Sequence, residues 1–269
     1  MATLPDISGA TVRIKRFIRD KLEQSEMAGY VIGLSGGVDS AVSAALAVEA
    51  VGEDKVLALL MPYRTSSPSS VNDALSLTTR LGILYRRIDI TPMIDAYFPR
   101  IDESNRLRAG NKMARERMAI QFDVAQELGR LVLGTGNRTE ICLGYTTWYG
   151  DAACSVNPIG ELYKSEIREM AQALGIPDAI VGKVPTADLW AGQTDEGEIG
   201  VMYERIDRLL RRLVDDEVSS ISRLEGEGFT ANEINRIVSL VNRNAFKRRM
   251  PDIAPLGKGP VPDYILLSA

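Results

Sequence analysis

The segment Ser35-Gly36-Gly37-Val38-Asp39-Ser40 restricts the fold of this chain more than any other. It follows a short apolar run, Tyr30 to Leu34, and leads into an Ala-rich run, Asp39 to Val51, that stops near Gly52. The first run reads as a buried parallel strand and the second as a helix. A strand that turns through two glycines into a helix aims several backbone N–H groups and the positive end of the helix dipole at one point. Such a point seats an anion. Ser35 and Ser40 offer hydroxyls to phosphate oxygens. Asp39 would repel phosphate unless a cation lies between them, which calls for Mg²⁺. No lysine closes the loop, so it is not the GxxxxGK(S/T) loop of common nucleoside triphosphatases. The bland alternative is a Gly turn capped by Asp39, and the strand–loop–helix setting argues against it.

The remaining pattern alternates strands and helices. Val12 to Leu22 carries a helical stripe. Val56 to Met61 is a second strand, ending at Pro62, followed by a Ser-rich lead-in and a helix over 71–81. Leu84 to Ile90 is a third strand with a more polar pattern. Asn111 to Leu128 is a long amphipathic helix, and Leu131 to Leu133 a short strand running into Gly134-Thr135-Gly136. Further helices are expected over Lys164 to Leu174, Tyr203 to Asp215 and Thr230 to Phe246, the last opened by a capping box of Thr230 with Glu233. Alternation over 30–174 implies an α/β fold, a doubly wound parallel sheet with helices on both faces and C-terminal helices beyond it. The whole chain, 1–269, is read as a single domain, with 251–269 as an extended Pro-rich tail. The segment 183–202 is too long for a simple turn, and a loop of that length is more often functional than merely connecting.

Composition excludes several kinds of chemistry. The chain has no histidine, which removes His-based zinc sites, the Ser-His-Asp triad and His general bases. Its two cysteines, Cys142 and Cys154, are too few for a disulfide framework or a four-Cys metal site, so a reducing cytoplasm is expected. A net charge of −4 argues against a main task of gripping nucleic acid. No apolar stretch approaches the ~20 residues of a membrane span.

The loop SGGVDS resembles the pyrophosphate loop of ATP pyrophosphatases, which cleave ATP between the α and β phosphates and transfer AMP to an acceptor. Further motifs narrow the group. Gly134-Thr135-Gly136-Asn137-Arg138-Thr139-Glu140 follows a strand, and Asn111 to Met118 reads NKMARERM. Pro185-Thr186-Ala187-Asp188-Leu189-Trp190 leads into Gly192-Gln193-Thr194-Asp195-Glu196. With Leu162-Tyr163-Lys164 and Lys247-Arg248, these motifs look like ammonia-dependent NAD synthetase from about residue 12 to about residue 252.

That resemblance implies an adenine nucleotide alpha hydrolase-like fold, with ATP and Mg²⁺ as cofactors and ATP held by Gly33, Leu34, Ser35, Gly36, Gly37, Val38, Asp39 and Ser40. Asp39 and Glu140 match the metal carboxylates of the family. Thr135, Lys164 and Thr186 match its ATP contacts, and Arg115 and Lys247 match contacts to the dinucleotide. Two carboxylates at the ends of two parallel strands can share a hard cation with phosphate oxygens. Lys164, just past a Gly-rich turn, could hold the departing pyrophosphate.

Departures cluster at the other end of the substrate. By resemblance, the segment near 148 reads lysine, aromatic, Gly-Asp-Gly-Gly and then a second Asp. Here Trp148 stands for the lysine, Ala152 and Ala153 for two glycines and Ser155 for the second Asp, while Phe246 stands for the usual His before Lys247. All fall on the part that recognises the nicotinate end, where Trp148 could stack on a ring.

The implied reaction is ATP-dependent amidation of deamido-NAD with ammonia through an acyl-adenylate, releasing AMP and pyrophosphate. Asp151, or else Asp188, would take the ammonium proton. A glutaminase needs an activated nucleophile, and neither cysteine has a partner in sequence. Free ammonia is therefore the simplest source, with a separate glutaminase as the other possibility. Family resemblance also implies a homodimer. Three rival readings stand beside this one: the same chemistry on another carboxylate, a tRNA-modifying ATP pyrophosphatase, and a non-catalytic nucleotide-binding module.

Overall fold

The computed structural model describes residues 6–186, 194–254 and 256. Four parallel strands form its sheet: β1 (Tyr30–Gly33), β2 (Val56–Leu60), β3 (Leu84–Arg87) and β4 (Leu131–Leu133), in the order β3-β2-β1-β4. Val31 pairs with Leu57 on one side and with Val132 on the other. Helix α1 (Ile7–Ser25) precedes the sheet, and α2 (Val38–Val51) and α3 (Pro68–Leu81) make the first two crossovers. The third crossover, through α4 (Thr91–Tyr97) and α5 (Arg106–Leu128), returns the chain to the far side of β1. The winding therefore reverses between β1 and β4, and a crevice opens at their carboxyl ends. Both Gly-rich turns singled out in the sequence leave from those ends.

Alternation along the strands explains the layers. Tyr30, Ile32, Ala58, Leu60 and Leu133 face one core with α1, α2, α3, α7 (Lys164–Ala173) and α8 (Asp178–Val181). Val31, Leu57, Leu59 and Val132 face a second core with α4 and α5. Each apolar side chain taken fully out of water contributes roughly 1.5–3 kcal/mol. A third core joins α6 (Arg138–Leu143) to α10 (Tyr203–Leu210), α11 (Ile221–Gly226) and α12 (Ala231–Arg243), and α9 (Asp195–Ile199) supplies Ile199 to it.

The strand expected over 84–90 ends at Arg87. Beyond it, Ile88 N still donates to Leu60 O at 2.9 Å and Ile90 N to Pro62 O at 2.9 Å, but Pro92 then opens α4. Helix α5 begins ahead of the expected Asn111, at Arg106. The helix expected over 203–215 is regular only to Leu210 and continues as a widened π turn over Arg211–Asp215. Helix α12 stops at Arg243, and Ala245–Arg248 forms a separate tight turn. Of the expected tail, 255 and 257–269 lie outside the described residues, as do Asp188 and Trp190. No helix among the described residues is long and apolar enough to cross a membrane.

Candidate active site

The crevice has a volume of about 680 Å³, within the range of small-molecule sites. Its floor is the loop after β1. Gly36 has φ +78°, and a Cβ on it would lie 2.2 Å from the Ser70 carbonyl oxygen, so both the backbone conformation and the space require glycine. The loop is braced by its own hydroxyls. Gly37 N donates to Ser35 Oγ at 3.2 Å, Ser35 N to Ser40 Oγ at 3.3 Å, and Ser40 Oγ to Gly37 O at 3.0 Å. Gly33 N donates to Gln121 Oε1 on α5 at 2.9 Å.

The two turns at the switch point are joined directly. Asn137 Nδ2, on the turn after β4, donates to Asp39 Oδ1 at 2.9 Å. Asn137 also opens α6 with a capping box: Glu140 N donates to Asn137 Oδ1, and Asn137 N to Glu140 Oε2. Lys164 comes in from the start of α7, only 3% exposed. Its Nζ lies 2.5 Å from Asp39 Oδ2, 3.6 Å from Glu140 Oε1 and 5.4 Å from the Tyr203 ring centroid. Burial alone would lower the Lys164 pKa, but Asp39 and Glu140 outweigh it and hold it above the ordinary lysine value. Burial and the Asp39 charge hold the Glu140 pKa above the ordinary glutamate value, against the pull of Lys164.

Asp39 and Glu140 thus converge on one positive charge with hard oxygen donors, which suits Mg²⁺. No group of three or more His, Cys, Asp or Glu among the described residues is placed to hold a metal alone. Phosphate oxygens and water would complete such a shell, as is usual for Mg²⁺. Thr135 and Thr186 line the same crevice, with Gly33, Leu34, Ser35, Gly37, Val38 and Ser40.

Toward the other end, Asp151 and Lys247 line the crevice. Thr147 N donates to the Asp151 carboxylate at 2.8 Å, and the surrounding protein raises its pKa by desolvation. Lys247 Nζ donates to Gly144 O at 2.8 Å and Thr146 O at 2.7 Å, and burial lowers its pKa. Arg115, Trp148, Ser155 and Phe246 are not among the lining residues. Arg115 Nε donates to Trp148 O at 3.3 Å, which sets Arg115 beside an aromatic cluster. In it the Trp148 ring stacks on Tyr149, centroids 4.5 Å apart, and meets Phe246 edge-on at 5.2 Å. Ser155 Oγ instead accepts from Val132 N at 3.1 Å and so binds the backbone of β4.

Several groups had no local signal as site residues. Asp195 is buried, lines the crevice and accepts from Tyr145 at 3.3 Å and Tyr203 at 3.2 Å. Asn137 stood inside a quoted motif, but its bond to Asp39 spans 98 residues of sequence.

The sequence matches the family described as NAD synthase over residues 10–251. It is 47% identical over 240 residues to an NH(3)-dependent NAD(+) synthetase of Fusobacterium nucleatum, covering 89% of this chain and 93% of that one. Among solved structures, the NMN synthetase of Francisella tularensis matches with TM-score 0.80 and 33% identity, over 93% of this chain and 98% of that chain. The NH3-dependent NAD synthetase of Campylobacter jejuni, solved with a nitrate ion, matches with TM-score 0.79 and 34% identity, over 93% and 100%.

Proposed function

The chain belongs to the NAD synthase family, and from that premise we propose that it is a C–N ligase that amidates deamido-NAD to NAD with ATP and ammonia. The observation that carries this reading is the meeting of Asp39, Glu140 and Lys164 beside a glycine loop at the switch point. A carboxylate resists nucleophiles because of its charge. Transfer of AMP to the nicotinate carboxylate converts it to a mixed anhydride with a good leaving group. The loop N–H groups and Ser35 and Ser40 bind the phosphates. Asp39 and Glu140 would hold Mg²⁺, which neutralises charge on the phosphate oxygens when bound. Lys164 stabilises the negative charge that grows on the departing pyrophosphate. Ammonia attacks the acyl carbon and AMP leaves.

Asp151 accepts the proton released from nitrogen. Its raised pKa, set by desolvation, brings it closer to a working base near neutral pH. Burial raises the pKa of both Cys142 and Cys154 and so keeps the thiols protonated, and the chain has no histidine to activate either. Free ammonia is therefore the simplest nitrogen source, and a separate glutaminase subunit is the alternative. A homodimer and a cytoplasmic setting complete the proposal.

A second reading, the same chemistry on nicotinate mononucleotide, is favoured by the likeness to the Francisella tularensis NMN synthetase. The test is one assay with deamido-NAD and nicotinate mononucleotide, each supplied with ammonia or glutamine. AMP and pyrophosphate should form with deamido-NAD and ammonia. Turnover of the mononucleotide alone would select the second reading, and loss of only the terminal phosphate of ATP would sink both.

A further inference from the structure

Lys164 and Glu140 reach the proposed phosphate end from the first turns of two different helices, and the start of α7 is not closed by local means alone. On α7 the glutamate at the third position, Glu166, accepts from Tyr163 N at 2.7 Å. The next two amides, Lys164 N and Ser165 N, need other acceptors. Thr139 Oγ1 accepts from Lys164 N at 3.0 Å, and Asp207 Oδ2 from Ser165 N at 2.8 Å. Thr139 precedes Glu140 on α6, and its hydroxyl donates to Asp207 Oδ1 at 2.6 Å. One carboxylate on α10 therefore clamps the residue before Glu140 and the residue after Lys164.

Asp207 is 2% exposed. Burying a carboxylate is costly unless its oxygens are filled, and an apolar side chain would serve packing alone at lower cost. Arg211 lies near enough to favour the charge, but its guanidinium bonds to Glu166 at 2.6 Å. What the two oxygens of Asp207 hold instead is the spacing of α6 and α7. Lys164 Nζ stands 3.6 Å from Glu140 Oε1, and a shift of a few tenths of an ångström between the helices would move both groups relative to the phosphates.

We propose that Asp207 is a positioning residue for the adenylation step, a buried tie that sets Glu140 and Lys164 in register without touching substrate. This rests on the reading that Glu140 and Lys164 serve ATP. Loss of such a supporting bond commonly costs about 10- to 100-fold in metal affinity or activity. Asp207→Ala should lower kcat by about that factor and raise the KM for ATP, with the KM for deamido-NAD within about twofold of wild type. Binding of ATP by calorimetry, measured without turnover, should weaken in parallel. Asp207→Asn should recover most of the loss, because its amide oxygen can take Ser165 N while its NH₂ donates to Thr139.

Ile206→Val serves as the packing control, since Ile206 is the buried neighbour of Asp207 in the third core. It should lower the melting temperature and leave kcat and ATP affinity alone. If Asp207→Ala fails to fold, Thr139→Val removes only the hydroxyl relay and should show the same split between kcat and the acceptor KM. Folded Asp207→Ala or Thr139→Val with wild-type kcat and wild-type ATP affinity would overturn the proposal. A wild-type enzyme that does not adenylate deamido-NAD at all would instead overturn the reading on which it rests.

Discussion

At the end of the crevice proposed for phosphate, charged groups from three separate segments bond to one another; beside the end proposed for the acceptor, aromatic rings pack on one another and are partly exposed. Asp39 binds Asn137 and Lys164 across 98 and 125 residues of chain. Trp148 stacks on its own neighbour, and Phe246 beside it is 51% exposed. The first arrangement fixes geometry before ligand arrives, because each polar atom already has a partner that must be matched or displaced. The second fixes only a surface, which a ring can use in more than one orientation. Trp148 and Phe246, which by resemblance depart from the family pattern, lie in the second arrangement, whereas Ser155, which departs as well, is tied to the amide of Val132 on β4.

The sharpest way to break this contrast is to remove a charge from the phosphate end. Asp39→Asn should cut kcat by at least about 10²- to 10³-fold, the scale of losing one charge-stabilising group, while circular dichroism shows an intact fold. Near-normal pyrophosphate release would mean that Asp39 holds no cation. The next largest effect is expected at the loop itself. Gly36→Ala forces a side chain into φ +78° and toward the Ser70 carbonyl, a strain of about 1–3 kcal/mol. The KM for ATP should rise about tenfold or more, and the melting temperature should fall.

Phe246→His and Trp148→Lys, which return the residue types of the family pattern, probe the acceptor end. Each should change the KM for deamido-NAD by up to about tenfold, about 1.4 kcal/mol, with the KM for ATP unchanged. A matching shift in the ATP constant would show that the two ends are not independent.

The smallest effect lies in the scaffold behind the acceptor end. Glu233 caps α12, which leads to Lys247, and the bond to Arg205 followed by the Thr230 amide holds its pKa down at about 2. A depressed folded pKa gives stability that is present above the unfolded glutamate value and is lost as pH falls toward the folded one. The melting-temperature gap between wild type and Glu233→Gln should therefore be steady above about pH 5 and close between about pH 4.5 and 2. Activity per folded molecule should not change.

The strand–loop–helix after β1 was readable from the sequence because its signal is local: an apolar run, two glycines and an Ala-rich helix lie side by side. Strands β2 and β4 were readable for the same reason. Helices α4, α6, α8, α9 and α11 carried too few turns to show a period. Helix α5 gained a first turn that lacks an apolar signal, although Ala109 and Gly110 are buried there. Asp39 was readable from the loop itself, whereas Glu140 and Lys164 were identified through motif resemblance, which encodes long-range geometry that no local pattern contains. Asp195 stood inside a quoted motif without a role of its own, and Tyr203 and Asp207 are ordinary polar residues of a helical stretch; all three gain their contacts only where remote segments meet.

One consequence follows from the place of the Lys164 ammonium between two carboxylates. The protein carries its own counterion there, so Asp39 and Glu140 can remain close together in a poorly hydrated recess without repelling each other apart. Nucleotide arrival then becomes a trade of partners. In the function proposed above, the ammonium would turn from carboxylate to phosphate, so that no naked charge has to be created along the way.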